Sequence, residues 1–385
     1  MPKSSGRLLF AALILLVGIN LRPLLASIGP LLDLIQSDTG LDDMQASLLT
    51  SLPVLLMGLC LLGSKRIQAA LGLRGSVAAG LASLTLAALA RWLWPTNTVL
   101  MASAVVGGLG IAVVQALLPT IIRHRTGAQA AMFMGFYSTA IMSGAAVASF
   151  AAPRLALEQG WAVAAGIWAL PALVGMVAWW FATETTDSIA SAKAQGMVWR
   201  SPRSWLLLAF FGLGTGAYTL VLAWLPPYYT GLGWSTQEAG MLLCALTLAE
   251  VVAGIGVAMA VARFADRRPI ILLAIGALTA GLLCLALAPL QQAEGAALLC
   301  GLGIGALFPL GLIVAMDHGR DATEAGQIAG FVQGGGYVMA AGLPLIAGML
   351  RQYLSDLTLA WWLMTALCLV LALITVPLRP GEQLN

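Results

Sequence analysis

The sequence predicts an all-α integral membrane protein with twelve transmembrane helices, arranged as two parallel six-helix repeats. Composition is the first reason, since 60% of the 385 residues are hydrophobic and 9% are charged, against roughly 25% charged residues in soluble domains. The second reason is a series of long apolar runs, and the third is an internal repeat. So few charges exclude soluble multidomain, disordered and nucleic-acid-wrapping proteins, because those classes need a polar or charged chain.

Twelve apolar runs are long enough to cross the hydrocarbon core, which takes about 20 residues in a helix. A polar segment at 183–203 divides them equally and predicts a cytoplasmic linker between an N-terminal bundle at 1–182 and a C-terminal bundle at 204–385. The predicted spans are 8–32, 44–63, 75–94, 98–122, 129–152, 160–182, 204–229, 238–262, 269–289, 295–316, 326–350 and 357–377.

Positive charges predict the orientation of the chain. Most of the 19 Lys and Arg residues flank the spans on the side that holds both termini, whereas the short loops on the other side carry acids such as Asp38, Asp42 and Asp43. By the positive-inside rule, both termini and the linker are cytoplasmic. This predicts a multi-pass protein of a bacterial-type inner membrane, with the lipid bilayer around it.

Four features recur in order between the two halves, at offsets of 193 to 195 residues. Parallel repeats of this kind are typical of transporters that open a central site alternately to each side. A duplicated structural or channel-like bundle is the alternative. The matching pairs are Gly108-Leu-Gly-Ile111 with Gly301-Leu-Gly-Ile304, Pro95 with Pro289, Arg74 with Arg268, and Gly135-Phe136 with Gly330-Phe331.

Arg22 lies about midway along the first span, where a charged side chain costs at least ~2.5–3.5 kcal/mol. Pro23 removes a helical hydrogen bond and bends the helix there. Because a guanidinium offers a planar fork of donors, Arg22 predicts an anion site in a central cavity, with Asn20 as a further candidate contact. A structural ion pair, or capping of carbonyls in the seventh span, is the alternative.

Glu250 is the only acidic residue deep within a span. Buried carboxyl groups of this kind form proton relays in pumps and transporters, so Glu250 is a candidate proton carrier. It is equally a candidate counter-ion for Arg22 in the empty protein. A neutral carboxyl that donates to a neighbouring backbone carbonyl is the third interpretation.

Amides and phenols deep in other spans are candidate substrate contacts, because they can fix a ligand by hydrogen bonds where water is scarce. Trp224 lies near a helix end, where an interfacial aromatic belt is the alternative. Two G-x-G-x-x-[GA] matches, which start at Gly212 and Gly301, lie inside apolar spans and are therefore interpreted as helix contacts rather than dinucleotide sites. The candidate contacts are Gln115, Tyr137, Tyr218, Trp224, Gln333 and Tyr337.

The whole chain resembles the major facilitator superfamily. That superfamily's signature loop, G-x-x-x-D-R/K-x-G-R/K-R/K, lies between its second and third helices and recurs in its second half. Here the second copy keeps Ala265-Asp266-Arg267-Arg268, whereas the first copy, which ends at Arg74, lacks the acidic residue. The resemblance implies that Asp266, Arg267, Arg268 and Arg74 form a cytoplasmic gate.

Three shorter segments resemble the cyanate-porter branch of that superfamily. They are the run from Asn20 to Pro30, the Gly107–Gly110 segment that leads to Gln115 and Pro119, and Trp224-Leu-Pro226. The resemblance implies import of a small anion. The branch also resembles nitroimidazole exporters, which imply efflux of small heteroaromatic compounds.

Enzymatic chemistry is not predicted. His124 and His318 lie at helix ends beside other charges, the five cysteines lie in apolar runs, and neither metal-ligand spacing nor a P-loop is present. The sequence predicts a monomeric secondary transporter, without cofactor, metal or nucleic acid, that moves a small anionic or polar compound by alternating access. Protons are a candidate coupling ion. The alternatives are an efflux pump for heteroaromatic or cationic drugs and a non-transporting receptor or structural bundle.

Overall fold

The structure is a computed structural model that describes residues 4–183, 198–261, 263–264, 266–320 and 322–378. Most of the predicted linker lies outside the described residues, so the division into two bundles stays a prediction. The α-helices are α1 Ser4–Ile19, α2 Pro23–Ala26, α3 Ile28–Thr39, α4 Asp43–Leu93, α5 Asn97–Thr126, α6 Ala130–Gln159, α7 Trp161–Gly166, α8 Ala169–Ala182, α9 Pro202–Gly231, α10 Thr236–Val261, α11 Arg268–Leu287, α12 Ala293–Asp317, α13 Ala322–Ala340, α14 Gly342–Leu354 and α15 Thr358–Thr375. Helix α4 is interrupted at Gly72, whose φ of 66° and ψ of 173° are not helical, so it comprises two spans.

Twelve helical segments in the described part of the chain are long and apolar enough to cross a bilayer, which confirms the predicted fold class. We number these spans in chain order. The membrane face where α1 begins and α15 ends is called the terminal face, and the other is called the opposite face. The spans are Arg7–Ala26, Asp43–Leu61, Gly72–Leu93, Asn97–Thr126, Met132–Gln159, Trp161–Ala182, Pro202–Gly231, Thr236–Val261, Arg268–Leu287, Ala293–Asp317, Glu324–Leu354 and Thr358–Thr375.

The short connection between spans 1 and 2 is fixed by local capping. Gly40 ends α3 with φ of 71°, a left-handed conformation that glycine adopts at little cost. The Asp42 side chain then accepts from the Gln45 N–H at 2.7 Å, and the Gln45 side chain accepts from the Asp42 N–H at 3.3 Å. This reciprocal capping box satisfies free donors at the start of α4, so the turn at the opposite face needs no distant partner.

Equivalent glycines of the repeat make equivalent helix contacts in the two halves. A Cβ added at Gly108 in span 4 would lie 2.6 Å from the Cα of Pro53 in span 2. One added at Gly301 in span 10 would lie 2.3 Å from the Leu246 carbonyl in span 8. Gly110, the second glycine of the first motif, approaches span 3 in the same way, and Gly303 of the second motif approaches span 9. The recurring sequence pattern therefore corresponds to close packing of small residues between helices.

The two halves pack together where α3, which continues span 1, meets span 7, where span 2 meets span 11, and where span 5 meets span 8. A Cβ at Gly29 would lie 2.5 Å from the Leu222 carbonyl, and one at Gly240 would lie 2.5 Å from the Ser149 carbonyl. Helices therefore touch backbone to backbone across the halves, and spans from both halves surround the centre of the molecule.

Candidate functional site

The first span is broken beside its arginine. Helix α1 ends at Ile19, and the single turn α2 begins at Pro23, which has no N–H to continue the ladder. Arg22 stands at the start of α2 with φ of −114° and ψ of −24°. Its carbonyl accepts from the N–H groups of Leu25 at 3.0 Å and Ala26 at 2.8 Å. The predicted distortion at Pro23 is confirmed, and it places Arg22 at the junction between two helical pieces.

The Arg22 guanidinium is buried among neutral side chains of both halves. Its side chain is 4% exposed, its Nη1 lies 3.8 Å from the Met57 sulfur, and its Cζ lies 5.5 Å from the centre of the Tyr218 ring. Tyr337 of span 11 lies within electrostatic range of the guanidinium. A ring face and a phenol oxygen stabilise a cation, but neither carries a compensating negative charge.

No carboxylate oxygen of the described residues lies within 4.0 Å of the Arg22 guanidinium. Its side chain also makes no hydrogen bond to a described carbonyl of span 7, and its Nε has no partner at all. Neither a close ion pair nor helix capping therefore explains the buried charge. The Arg22 charge is therefore not neutralised at contact distance by any carboxylate of the described residues.

Glu250 in span 8 lies within electrostatic range of Arg22 without touching it. The carboxyl is 4% exposed, and its Oε1 has no hydrogen-bond partner. On the first-half side, the Tyr137 hydroxyl lies within electrostatic range of Arg22 and close to the Gln115 side chain. The structure thus brings residues from five other spans, namely 2, 5, 7, 8 and 11, close to the Arg22 guanidinium.

Six buried polar atoms around Arg22 make no hydrogen bond with the described residues. A buried donor or acceptor that makes no hydrogen bond costs about 1–3 kcal/mol, so these atoms mark the region as the candidate site. Thr215, which sequence reasoning missed, lies one helical turn before Tyr218 and therefore on the same face of α9. The six atoms of this region are Arg22 Nε, Gln115 Oε1, Tyr137 OH, Thr215 Oγ1, Tyr218 OH and Glu250 Oε1.

We call Arg22, Gln115, Tyr137, Thr215, Tyr218, Glu250 and Tyr337 the central cluster. Gln333 is half-buried and precedes Tyr337 by one helical turn, so it lies on the same face of α13 and nearer the terminal face. Met57 is a contact that sequence reasoning also missed, because a methionine in an apolar span carries no signal of its own.

Asn20 and Trp224 have other partners in the structure. The Asn20 Nδ2 donates to Leu16 O at 2.7 Å and to Pro171 O at 3.1 Å, so it ties the break in span 1 to span 6. The Trp224 Nε1 donates to Pro344 O at 2.9 Å, near the opposite face. Both side chains were predicted to contact the substrate, but their donors are already used by the protein itself.

The predicted gate residues lie at the terminal face and make contacts within their own halves. Arg267 Nε lies 3.4 Å from Asp317 Oδ2, and Arg268 Nη2 lies 2.7 Å from Asp266 Oδ2. Hydrogen bonds from the side chain and backbone of Arg268 hold the pKa of Asp266 below its ordinary value. In the first half, Arg74 donates to the Trp180 carbonyl, and its Cζ lies 4.4 Å from the centre of the Trp180 ring.

Charged contacts across the halves occur at the opposite face. Arg351 on α14 lies 3.0 Å from Asp33 on α3 and 3.6 Å from Asp43 on α4. The Thr230 hydroxyl on α9 donates to the same Asp33 carboxylate. We call these four residues the opposite-face latch. Sequence reasoning did not predict the ion pair of Arg351 with Asp33, because two residues 318 positions apart leave no local pattern.

The Trp224 side chain supports the latch. The Arg351 guanidinium lies 5.4 Å from the centre of the Trp224 ring, and a Cβ at Gly348 would meet the Ser47 Oγ at 1.8 Å. Spans 2 and 11 are therefore in close contact beside the latch. These contacts close the opposite face. The half-buried amides Gln115 and Gln333 lie along their spans between the level of Arg22 and the terminal face.

A comparison with protein families matches residues 8–344 to the model of the Major Facilitator Superfamily. The chain belongs to this superfamily. It is therefore a transporter of the MFS type, as its twelve-span architecture also indicates.

Curated relatives include transporters for two kinds of small molecule. The cyanate transport protein CynX of Escherichia coli strain K12 is 37% identical over 375 residues, covering 95% of this chain and 96% of the relative. The 2-nitroimidazole transporter of the same organism is 29% identical over 352 residues, covering 90% and 89%. The resemblance to both groups predicted from sequence is confirmed.

Solved structures share the fold at low sequence identity. A D-xylose–proton symporter superposes with a TM-score of 0.80 at 16% identity, covering 98% of this chain and 99% of that one. The xylose transporter XylE from E. coli, in an inward-open conformation, gives 0.79 at 14% identity and covers 97% of each chain. These structures establish the fold of this superfamily member.

Proposed function

We propose that this transporter carries a small monovalent anion of the cyanate kind by alternating access, and that Arg22 binds the anion. The observation that carries the proposal is the buried Arg22 guanidinium without a carboxylate within 4.0 Å. The 37% identity to the cyanate transport protein over nearly the whole chain supports it. An anion at Arg22 supplies the charge that the described side chains do not provide at contact distance.

The chemistry of the central cluster favours a small acceptor. A guanidinium presents several N–H donors in one plane, and the phenols of Tyr137, Tyr218 and Tyr337 add hydroxyl donors around it. These aromatic side chains come from spans 5, 7 and 11, so both halves contribute to the surroundings of the cation. A cationic drug is disfavoured, because it would meet the Arg22 charge at short range in a medium of low dielectric constant.

Glu250 supports proton coupling in this scheme. A bound anion and an ionised Glu250 place two negative charges near one guanidinium, and they repel each other more strongly than in water. The anion therefore binds best when Glu250 carries a proton, and both can cross together. After the anion leaves, the ionised carboxylate balances Arg22 and prepares the empty carrier for its return.

We expect Glu250→Gln to remove the pH dependence of transport. In the wild-type protein, lowering the pH should decrease the KM for cyanate, by at most about tenfold per pH unit for one linked proton. In the glutamine variant the KM should stay constant, because the side chain is permanently neutral. The measurement is initial uptake into proteoliposomes over a range of pH.

Glu238→Gln is the matched control for that variant. Glu238 lies in the first turn of the same helix and is bound by the Ser235 N–H at 2.8 Å, far from the central cluster. Its replacement should leave the pH dependence intact. Full pH dependence in the Glu250→Gln protein would show that the proton travels elsewhere.

Uptake of radiolabelled cyanate by proteoliposomes containing the purified protein tests the function directly. We expect saturable uptake that an opposing pH gradient slows. The 29% identity to a 2-nitroimidazole transporter, together with the tyrosines of the central cluster, makes 2-nitroimidazole the comparison solute. Transport of 2-nitroimidazole with no transport or binding of cyanate would replace this proposal with heteroaromatic efflux.

A further inference from the structure

A second arginine is more deeply buried than Arg22. Arg91 lies in the last turn of α4, in span 3, and its side chain is 0% exposed. Its Nε donates to the Ser103 Oγ at 2.8 Å, and its Nη1 donates to the Leu24 carbonyl at 2.7 Å. No carboxylate of the described residues forms an ion pair with it. Its partners are thus neutral acceptors in the first and fourth spans.

The carbonyl that Arg91 binds belongs to the single turn next to Arg22. Helix α2 spans only Pro23–Ala26, so the Leu24 carbonyl is among the last four, which have no partner within an ordinary helix. Arg22 stands at the N-terminus of the same turn, and its own carbonyl accepts from Leu25 and Ala26. The position of α2 therefore sets the position from which the Arg22 side chain extends.

The same turn is held from its other sides. A Cβ at Gly107 in span 4 would lie 2.0 Å from the Leu24 Cδ2, so the absent side chain makes room for Leu24. On the N-terminal side of the break, Asn20 is bound to the Pro171 carbonyl of span 6. The backbone on both sides of Arg22 is thus tied to neighbouring spans by side-chain hydrogen bonds.

We infer that Arg91 is a positioning residue for anion transport: by holding the Leu24 carbonyl it fixes the α2 turn and thereby the direction of the Arg22 guanidinium. This inference rests on the proposed function of Arg22. A lysine at position 91 keeps the charge but loses the planar fork that reaches two fixed acceptors. Because small misplacements of a binding group are costly, Arg91 should affect substrate affinity without contacting the substrate.

The test compares the KM and kcat for radiolabelled cyanate in proteoliposomes with the thermal unfolding midpoint in detergent. We expect Arg91→Lys to raise the KM about tenfold or more, while its unfolding midpoint stays near that of the wild type. Ser103→Ala is the matched control, because it removes the other acceptor and leaves the bond to Leu24. Its KM should remain near the wild-type value.

Gly107→Ala disturbs the same turn without changing Arg91. The added Cβ should displace Leu24 and raise the KM for cyanate, as Arg91→Lys does. The test therefore remains decisive even if the Arg91→Lys protein cannot be produced. If every folded variant at positions 91 and 107 has the KM of the wild type, the inference is overturned. If instead the wild-type protein does not transport cyanate, or Arg22→Gln transports it normally, the proposed function itself fails.

Discussion

Arg22→Gln is expected to abolish saturable cyanate uptake while leaving a folded protein. Removing one partner of a buried, hydrogen-bonded charge pair costs about 2–5 kcal/mol, so kcat/KM should fall by a factor of at least about 30. In addition, cyanate should no longer raise the thermal unfolding midpoint of this variant. Arg22→Lys should keep part of the activity, because it retains the charge but not the fork of donors.

The control for Arg22 is Arg154→Gln. Arg154 also lies in a span, but its Nη1 donates to the Phe150 carbonyl of its own helix at 2.7 Å, and its Cζ lies 3.7 Å from the centre of the Phe150 ring. Its replacement should leave uptake unchanged. If Arg22→Gln lowers the unfolding midpoint sharply and the surviving protein transports normally, Arg22 is a structural residue and the proposed anion site is wrong.

Arg351→Gln is expected to open the opposite face. The variant loses the ion pairs to Asp33 and Asp43, both of which join the two halves. Partly exposed pairs contribute about 0.2–1 kcal/mol each, so the loss of both amounts to roughly 0.4–2 kcal/mol. A change of that size shifts a two-state equilibrium by a factor of about 2 to 30. The fraction of molecules open toward the opposite face should rise accordingly.

A cysteine at position 47 reports that opening. Ser47 is 1% exposed and faces Gly348 across the halves, so a thiol there is covered while the latch is closed. Labelling of Ser47→Cys by a membrane-impermeant maleimide should be faster in the Arg351→Gln background, and unchanged in the Arg154→Gln background. Equal labelling rates in all three proteins would show that the latch does not hold the halves together.

The latch and the central cluster fit one transport cycle. In the structure the opposite face is closed by Arg351, Asp33 and Asp43, whereas the described contacts of Asp266, Arg267 and Arg74 at the terminal face stay within one half. Opening the opposite face requires the latch to break. The measurements on Arg22 and Arg351 are therefore independent, since the first tests binding and the second tests the conformational equilibrium.

The amino-acid sequence by itself determined the spans, the repeat and the chemical anomaly at Arg22. A transmembrane helix must satisfy its backbone hydrogen bonds within its own segment, so its position follows from a local apolar run. The break at Pro23 is equally local, because a missing N–H acts on the preceding turn. A charge in the hydrocarbon region is costly wherever the other spans lie, so Arg22 was recognisable before any tertiary contact was known.

Only the tertiary structure decided which polar side chains meet. Tyr218 faces Arg22, whereas Trp224, on the same helix, binds Pro344 near the opposite face. Sequence reasoning gave no role to Arg91 or Arg351, yet Arg91 binds the turn beside Arg22 and Arg351 joins the halves. The physical reason is that the rotation of each helix is set by packing against its neighbours, and such contacts join residues far apart in the chain.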